Sequence, residues 1–506
     1  MYSRPWNRPP ADGSVGRPAF VAQFGCWDGE QVAAAERIEA GLDGIDLVRV
    51  AFCDPHGLAR SKTLTAAAFR AVLRNGMDFS PGPFLFDTGH AVAVDFLGDA
   101  GIGSDAVAGA GDFVVVPDPR TFQLLPGSGP RTAWIIGDEF LRDGSRHPLS
   151  TRNVLRQVGA RYAAQGLTPV VGLEVEWYLT RLLPGPPGHR GNGFGLQGAA
   201  PLVEPMNSGY QFNLDSLYDT VAPVTDPLAL RLLELGLPLR SMEHESGPGQ
   251  VETTFDPLTA FDAADAMLFF RTLVKQDCRR RGYHASFMAV PGIDSFDPSG
   301  WHIHQSVLDN ATGRNVFAAQ GPAGGDGALS ARGRAYVEGL LARAADLCLL
   351  SVPTVNGYRR FAPDFSLSPT RVGWAFEDRS AMVRVLGEGS STHFENRIGE
   401  PCANPYLAIA AQLWAGLDGM LNRTGPDGAA AGGTAGPPDA LPRSLAESLA
   451  AFRDGPAGDL LGKPLAACLT RLKQSELDRF ETWRAAQRPQ AGQVTEWEQR
   501  EYFETY

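Results

Sequence analysis

Three apolar, strand-like segments of this chain each carry two ligand-type side chains spaced two residues apart. They are Glu174 with Glu176, His302 with His304, and Glu395 with Arg397. Residues two apart on a strand point to the same face, so each segment presents a paired edge to one side of a sheet. Glu245 and Glu252 add two carboxylates on either side of a glycine-containing turn. Edges of this kind can build a pocket for two hard divalent cations.

Alternating polar residues on a strand often mean only that one face of the sheet is solvated. The pair Glu174 and Glu176 argues against that interpretation. It lies within the apolar segment 170–179, where a solvated face more often carries Lys, Thr or Ser than two acids that repel each other. Like charges this close require a cation between or beside them.

The composition excludes several classes of partner and compartment. The 506 residues carry a net charge of −12, which argues against binding to nucleic acid or to an anionic membrane, since both require a basic surface. Six cysteines without CxxC spacing, and a start without a basic-then-apolar segment, predict a reduced, cytoplasmic protein. The apolar stretches are too short to span a bilayer, so no membrane partner is expected.

The residue patterns predict an α+β protein in three parts. Residues 1–20, rich in Pro, Gly and Arg, are expected to form a flexible N-terminal arm, and a domain boundary is expected near residue 140. A strand over 47–53, a type I turn at Asp54-Pro-His-Gly57 and a return strand over 58–64 predict a hairpin. Helices are predicted over residues 150–166, 262–281, 331–350 and 494–503, and a low-complexity loop over 423–439.

Seven ordered motifs, from about residue 45 onward, resemble those of the glutamine synthetase family. They are Gly172-Leu-Glu174-Val-Glu176, Glu245-Ser-Gly-Pro-Gly-Gln-Val-Glu252, Gly300-Trp-His302-Ile-His304-Gln-Ser306, Pro353-Thr-Val-Asn356-Gly-Tyr358-Arg-Arg360, Asp378-Arg379-Ser380, Arg384, and Glu395-Asn-Arg397 with Asn404-Pro-Tyr-Leu407. The resemblance implies a β-grasp domain over 21–140. It also implies a catalytic ATP- and glutamate-binding domain over 141–506, in which a curved antiparallel sheet with flanking helices forms a funnel.

The resemblance also implies a role for each motif residue. Glu176, Glu245 and Glu252 would hold one metal ion, and Glu174, His302 and Glu395 the other. The two ions per active site would be Mg²⁺ or Mn²⁺, with ATP as co-substrate. These ions and the arginines would neutralise the phosphoryl group as it moves to the γ-carboxylate of glutamate, which makes an acyl phosphate for an amine to attack.

The remaining motif residues would bind the substrates. Arg360 and Arg397 match positions that grip the glutamate carboxylate, a task suited to the guanidinium fork. Phosphate and nucleotide contacts would come from Arg379, Arg384, His304 and Ser306. Asp54 matches the acid that reaches into the neighbouring subunit and attracts the amine, so that Asp54 and Arg379 are the expected catalytic residues. Asp54 can also simply start the hairpin turn.

The chain departs from the family in the loop after Arg360. Ammonia-using members carry a glutamate there that takes a proton from ammonium, whereas residues 361–369 contain only Asp364, which falls too early to match. A site without that acid suits a larger or weakly basic amine better than ammonium. Asp297 and Pro298 replace an asparagine and a glycine, and Asp297 is expected to pair with the amino group of glutamate.

These features predict an ATP-dependent ligase of the branch that makes γ-glutamylamides from organic amines, including polyamine and anilide ligases. Ammonia-using glutamine synthetase is the alternative. A catalytically silent structural or regulatory relative would have little reason to keep mutually repelling acids, and a two-metal hydrolase would need no glutamate-gripping arginines.

Further expectations concern the amine pocket and the assembly. Core packing is the favoured interpretation of Phe79, Phe84 and Phe86, although they could wall an amine pocket. The class of amine stays open. The resemblance implies a homo-oligomer, a dodecamer with active sites between subunits, in which a monomer is inactive.

Overall fold

The computed structural model describes residues 18–506 except 128, 186–192, 194–196, 210, 320–328, 362–366, 423–439 and 491. The first 140 residues contain α1 (Phe20–Phe24), α2 (Gly29–Gly41), β1 (Leu47–Cys53), β2 (Ala59–Thr65), α3 (Ala66–Asn75), β3 (Met77–Phe79), α4 (Gly82–Leu85), β4 (Phe113–Pro117), β5 (Gln123–Leu125) and β6 (Thr132–Phe140).

The rest of the chain is built around a second set of strands. They are β7 (Leu167–Leu182), β8 (Val203–Pro205), β9 (Leu239–His244), β10 (Gln250–Phe255), β11 (Leu258–Thr259), β12 (Tyr283–Ser286), β13 (Trp301–Asp309), β14 (Trp374–Phe376), β15 (Val383–Leu386) and β16 (His393–Asn396). The helices are α5 (Thr151–Ala164), α6 (Asp215–Glu234), α7 (Ala260–Arg280), α8 (Ala331–Ala342), α9 (Cys348–Ser351), α10 (Pro405–Asn422), α11 (Leu445–Asp454), α12 (Ala457–Leu461), α13 (Lys463–Gln487) and α14 (Glu496–Tyr502).

The first sheet has the order β2-β1-β6-β4-β3, with β5 also paired to β6. The predicted hairpin is confirmed: β1 and β2 are antiparallel, with Cys53 opposite Ala59. The turn closes through the Gly57 N–H, which donates to the Asp54 carbonyl at 3.0 Å. Gly57 has φ of +82°, a conformation that glycine adopts without strain.

The second sheet positions the candidate ligands. Its order is β14-β15-β16-β13-β7-β10-β9, and β8, β11 and β12 also pair with the 16-residue strand β7. Every pairing is antiparallel except that of β14 with β15. On β7 the alternation buries Leu173, Val175 and Trp177 in the core. Glu174 and Glu176 therefore share the opposite face.

The predicted helices are confirmed except for one, and the sheet and helices together form the expected α+β fold. Ser150 caps α5 by accepting from the Asn153 N–H at 3.2 Å, and α7 lies over the predicted residues 262–281. The prediction of a single helix over 331–350 was wrong. The helix ends at Ala342, and the chain makes tight turns through 343–347 before the short α9.

The C-terminal helix α14, which falls within the predicted range 494–503, docks on the body. Trp497 and Tyr502 on it are buried in the main core cluster. The predicted loop over 423–439 and most of the predicted arm lie outside the described residues. Within the described part of the chain, no helix is long and apolar enough to cross a membrane.

Candidate active site

Strand register brings most of the predicted ligands onto one face of four neighbouring strands. The directly opposed pairs are Glu174 with His302, Glu176 with Glu252, and Glu395 with His304. Neighbouring strands lie about 4.8 Å apart, so side chains in these pairs can share a ligand. Glu245 joins them from the turn that follows β9, where its N–H donates to the Gln250 carbonyl at 2.9 Å.

Glu174, His302 and Glu395 form a compact trio. One potential ligand atom from each lies within 4.8 Å of the others. His302 Nδ1 is 2.6 Å from Glu174 Oε1 and 3.5 Å from Glu395 Oε1. Burial lowers the pKa of His302, which favours the neutral ring that ligates metal ions. Two carboxylates and a neutral imidazole fit a divalent cation.

Glu176, Glu245 and Glu252 form a second acidic group with strongly perturbed titration. Burial and the charge of Glu245 raise the pKa of Glu176 to about 8. Burial raises the pKa of Glu245 to about 7. Burial and the charges of Glu174 and Glu176 raise the pKa of Glu252 to about 10. Because each carboxylate opposes the ionisation of the next, an all-oxygen donor set of this kind fits a hard divalent cation that would relieve the repulsion.

The two groups differ in how tightly they converge. Among the described His, Cys, Asp and Glu side chains, only Glu174, His302 and Glu395 form a group of three whose ligand atoms all lie within 4.8 Å of one another. Glu176, Glu245 and Glu252 form no such group, although the charge of Glu245 raises the pKa values of the other two.

A sixth carboxylate, Glu243, was not predicted from the sequence. It lies on β9 opposite Glu252, so Glu176, Glu252 and Glu243 form one row across β7, β10 and β9. Its charge contributes to the raised pKa values of Glu245 and Glu252. The signal was present in the sequence, because Glu243 and Glu245 show the same two-residue spacing as the other pairs.

Arg360 and Arg397 lie against the acidic residues. Arg360 is buried, its Nη1 donates to the Ile398 carbonyl at 2.8 Å, and burial lowers its pKa to about 10. Gly300 permits this approach, since a Cβ there would lie 2.9 Å from both Arg360 Nη2 and His302 Nε2. Arg397 donates to Glu395 through Nη1.

Arg384 and Arg379, the two arginines predicted to contact phosphate, lie in different environments. Arg384 Nη1 donates to Glu395 Oε2 at 3.2 Å, which puts it beside the compact trio. The Arg379 side chain is exposed, and only its backbone carbonyl reaches the site, accepting from Arg397 Nε at 3.1 Å. Asp297 is exposed at the rim, where it accepts from Ser246 Oγ at 2.8 Å next to Glu245.

A cavity of about 500 Å³ opens beside Glu174 and is lined by His304 and Ser306, the two predicted nucleotide contacts. His304 Nε2 lies 3.1 Å from Glu174 Oε2. The His393 ring, which also lines the cavity, has its centroid 5.3 Å from that of His304. The cavity therefore joins the acidic face to a space large enough for a nucleotide.

Asp54 is not brought to the acidic residues within this chain. Its side chain is fully buried, with Oδ1 accepting from the N–H groups of His56 and Leu58 at 2.9 Å, and Oδ2 from Arg60 Nε at 2.7 Å. The turn-forming role is therefore seen directly, and the amine-attracting role stays a prediction.

The phenylalanines considered for an amine pocket lie in or against the core. Phe79 and Phe84 pack against Phe52 and Phe113 in an aromatic cluster of the core. Phe86 packs against the same core and is half-buried. Asp364 lies outside the described residues.

Comparison with known proteins finds a family model, two relatives and a solved structure that are similar to this chain. Residues 148–502 match the glutamine synthetase catalytic domain. The chain is 37% identical to a γ-glutamylanilide synthase of an Acinetobacter species over 96% of its own length and 98% of that protein. It is 30% identical to a γ-glutamylethanolamide synthetase, GlnA4, of Streptomyces coelicolor, over 91% of this chain and 93% of the relative. A solved GmaS/ADP complex is 25% identical, with a TM-score of 0.69, over 92% of this chain and 98% of that one.

Proposed function

The chain belongs to the glutamine synthetase family, and we propose that it is an ATP-dependent ligase that joins the γ-carboxylate of glutamate to an organic amine. The observation that carries this proposal is the contact between the acidic face and the two arginines. Arg397 pairs with Glu395, and Arg360 lies next to His302. A two-metal hydrolase would need no arginines to grip the carboxylate of glutamate.

The reaction requires activation because a carboxylate is a poor electrophile. Phosphoryl transfer from ATP to the γ-carboxylate gives γ-glutamyl phosphate and ADP, and the amine nitrogen then attacks the carbonyl carbon and expels phosphate. Arg360 and Arg397 bind the glutamate carboxylate and orient the substrate. Arg384 and Arg379 stabilise the negative charge on the transferring phosphoryl group.

The acidic residues would hold two divalent cations, Mg²⁺ or Mn²⁺. One would be bound by Glu176, Glu245 and Glu252, and the other by Glu174, His302 and Glu395. Bound cations would neutralise phosphate oxygens during transfer. The chain itself provides the partly buried positions of these carboxylates and the cavity in which His304 and Ser306 contact the nucleotide.

An organic amine is the proposed acceptor because residues 361–369 lack the glutamate that would deprotonate ammonium. A weakly basic arylamine is largely uncharged at neutral pH, so it can attack without first giving up a proton to such a base. The proton that its nitrogen loses as the amide forms can leave with the phosphate. This agrees with the name of the 37% identical relative, a γ-glutamylanilide synthase. Glu243, the extra acid on the face, is the feature expected for a polyamine, which makes polyamines the second candidate class.

A single assay separates these possibilities. Phosphate release from ATP is measured with glutamate, Mg²⁺ or Mn²⁺, and a panel of aniline, alkylamines, polyamines and ammonium. We expect turnover that depends on glutamate and is fastest with an organic amine. Fastest turnover with ammonium would identify an ordinary glutamine synthetase, and no turnover with any amine would identify a silent relative. Glu496→Gln, at an exposed surface position, is the matched control for handling and folding.

The quaternary structure and domain division are part of the proposal. We expect residues 21–140 to form the β-grasp domain and residues 141–506 the catalytic domain of a dodecamer. In it, the hairpin acid Asp54 of one subunit would lie at the active site of its neighbour. Light scattering coupled to size exclusion tests the assembly, and an active monomer would refute the shared site.

A further inference from the structure

Glu498 on the C-terminal helix α14 is a buried acid with an unusually complete set of donors. Its side chain is fully buried. Oε2 accepts from the Thr495 N–H and hydroxyl at 2.8 Å each and from Arg359 Nη2 at 3.0 Å. Oε1 accepts from Arg359 Nε at 3.0 Å and from Asn356 Nδ2 at 3.2 Å. Glu498 thus joins α14, through a bidentate ion pair with Arg359, to a segment 139 residues earlier in the chain.

That segment is the short 3-10 helix Gly357–Phe361, which carries Arg360. It is held at its start by two further contacts. Glu400 accepts from the Thr354 N–H and hydroxyl at 2.8 Å each. The Tyr502 hydroxyl, also on α14, accepts from the Val355 N–H at 3.2 Å. Two residues of α14 therefore hold the segment that carries the glutamate-gripping arginine.

Arg359 and Arg360 are adjacent, yet their side chains point to different partners. Arg359 extends to Glu498, whereas Arg360 extends to the Ile398 carbonyl and lies close to His302. A short 3-10 helix has few internal hydrogen bonds, so its orientation depends on such outside contacts. Rotation of this helix would displace the Arg360 guanidinium directly.

We propose that Glu498 is a positioning residue for glutamate binding: by fixing Arg359 and Asn356, it sets where Arg360 presents its guanidinium. The inference rests on the proposed function, because it assumes that Arg360 binds glutamate. The cavity beside Glu174 is lined by β7, β9, β10, Pro257, β13 and the segment 390–393, and not by this 3-10 helix. Loss of Glu498 therefore affects glutamate binding selectively.

The test uses the full-length protein and the variant Glu498→Gln. Glutamine keeps the shape but turns an NH₂ group toward donors that need an acceptor, and it removes the charge that holds Arg359. We expect the KM for glutamate to rise about tenfold or more, as the loss of a buried charged hydrogen bond predicts. The KM for ATP should change much less than the KM for glutamate. Glu496→Gln, on the exposed side of the same helix, should leave both KM values unchanged.

A second variant keeps the inference testable if Glu498→Gln folds poorly. Arg359→Gln breaks the same ion pair and leaves Glu498 bonded to Thr495. It should raise the KM for glutamate in the same way, and the double variant should be no worse than Glu498→Gln alone, because both changes remove one interaction. Additive effects, or equal rises in the two KM values, would refute the positioning role.

The inference and the proposed function fail in different ways. A wild-type protein without glutamate-dependent turnover would refute the proposed function. A wild-type protein that turns over glutamate, with a Glu498→Gln variant whose KM for glutamate is within twofold of wild type, would refute only the role of Glu498. Protection from thermal unfolding by glutamate gives the same comparison without turnover.

Discussion

The cation-free protein should lose stability as the pH rises from 6 to 8, because Glu176 must ionise in a buried, acidic environment. Burial and the Glu245 charge raise its pKa to about 8, from an ordinary 4.5. The folded state therefore retains a proton that the unfolded chain has released, and folding stability is lost as the pH rises toward 8. The effect is the opposite of that of a carboxylate whose pKa is lowered by an ion pair.

The size of the effect follows from proton linkage. Between pH 6 and pH 8 a single group with these two pKa values costs about 2 kcal/mol of stability. For a chain of this length that is a decrease in melting temperature of roughly 2 °C. Glu245 and Glu252, whose pKa values are also raised by burial, add to the decline. Saturating Mg²⁺ or Mn²⁺ should remove it, so the stabilisation by cation should be larger at pH 8 than at pH 6.

Glu176→Gln is the decisive variant. In the wild type the Gly300 N–H donates to Glu176 Oε2 at 2.8 Å. The side-chain amide oxygen of the variant can still accept this hydrogen bond. Without cation, the variant should melt higher than wild type at pH 8 and show a shallower decline with pH, yet it should lack activity. Scanning calorimetry of both proteins after chelation, with Glu496→Gln as control, measures this. A wild-type melting temperature that is flat between pH 6 and 8, or an equal slope in Glu176→Gln, would refute the reasoning.

Three further changes test other parts of the structure. Glu395→Ala should abolish glutamate-dependent turnover while the protein stays folded, and near-normal rates would show that its assignment as a ligand is wrong. Gly300→Ala would place a Cβ 2.9 Å from Arg360 Nη2, so turnover should fall while far-ultraviolet circular dichroism stays unchanged; a fully active variant would contradict the close approach. Arg152→Met leaves Asp118, Asp138 and Asp265 without their shared buried cation, so it should destabilise the protein by about 3–5 kcal/mol in chemical denaturation, and a loss below about 1 kcal/mol would contradict this.

Local patterns predicted the parts of the site that depend on strand period. Glu174 and Glu176 share a face because side chains alternate along any strand, whatever surrounds it. The hairpin at Asp54 was predictable because Asp, Pro and Gly each favour their turn position. The motif resemblance then predicted which of these residues would hold the same cation, which spacing alone does not reveal.

Features that depend on tertiary partners were not predictable in this way. The helix predicted over 331–350 breaks at Arg343, yet Leu347 and Leu350 are still buried in the core, so the apolar pattern indicated burial and not an unbroken helix. The burial of Asp54 depends on packing that a turn motif does not specify. Glu498 looked like one acid of an amphipathic helix, since its partner Arg359 is far away in the sequence.

Direct observation of the cations tests the central claim. A crystal of the full-length protein with Mn²⁺, a non-hydrolysable ATP analogue and glutamate is measured at a wavelength where manganese scatters anomalously. We predict two manganese peaks per active site, one bounded by Glu176, Glu245 and Glu252 and the other by Glu174, His302 and Glu395. No peak at these side chains, or manganese bound only elsewhere, would contradict the account.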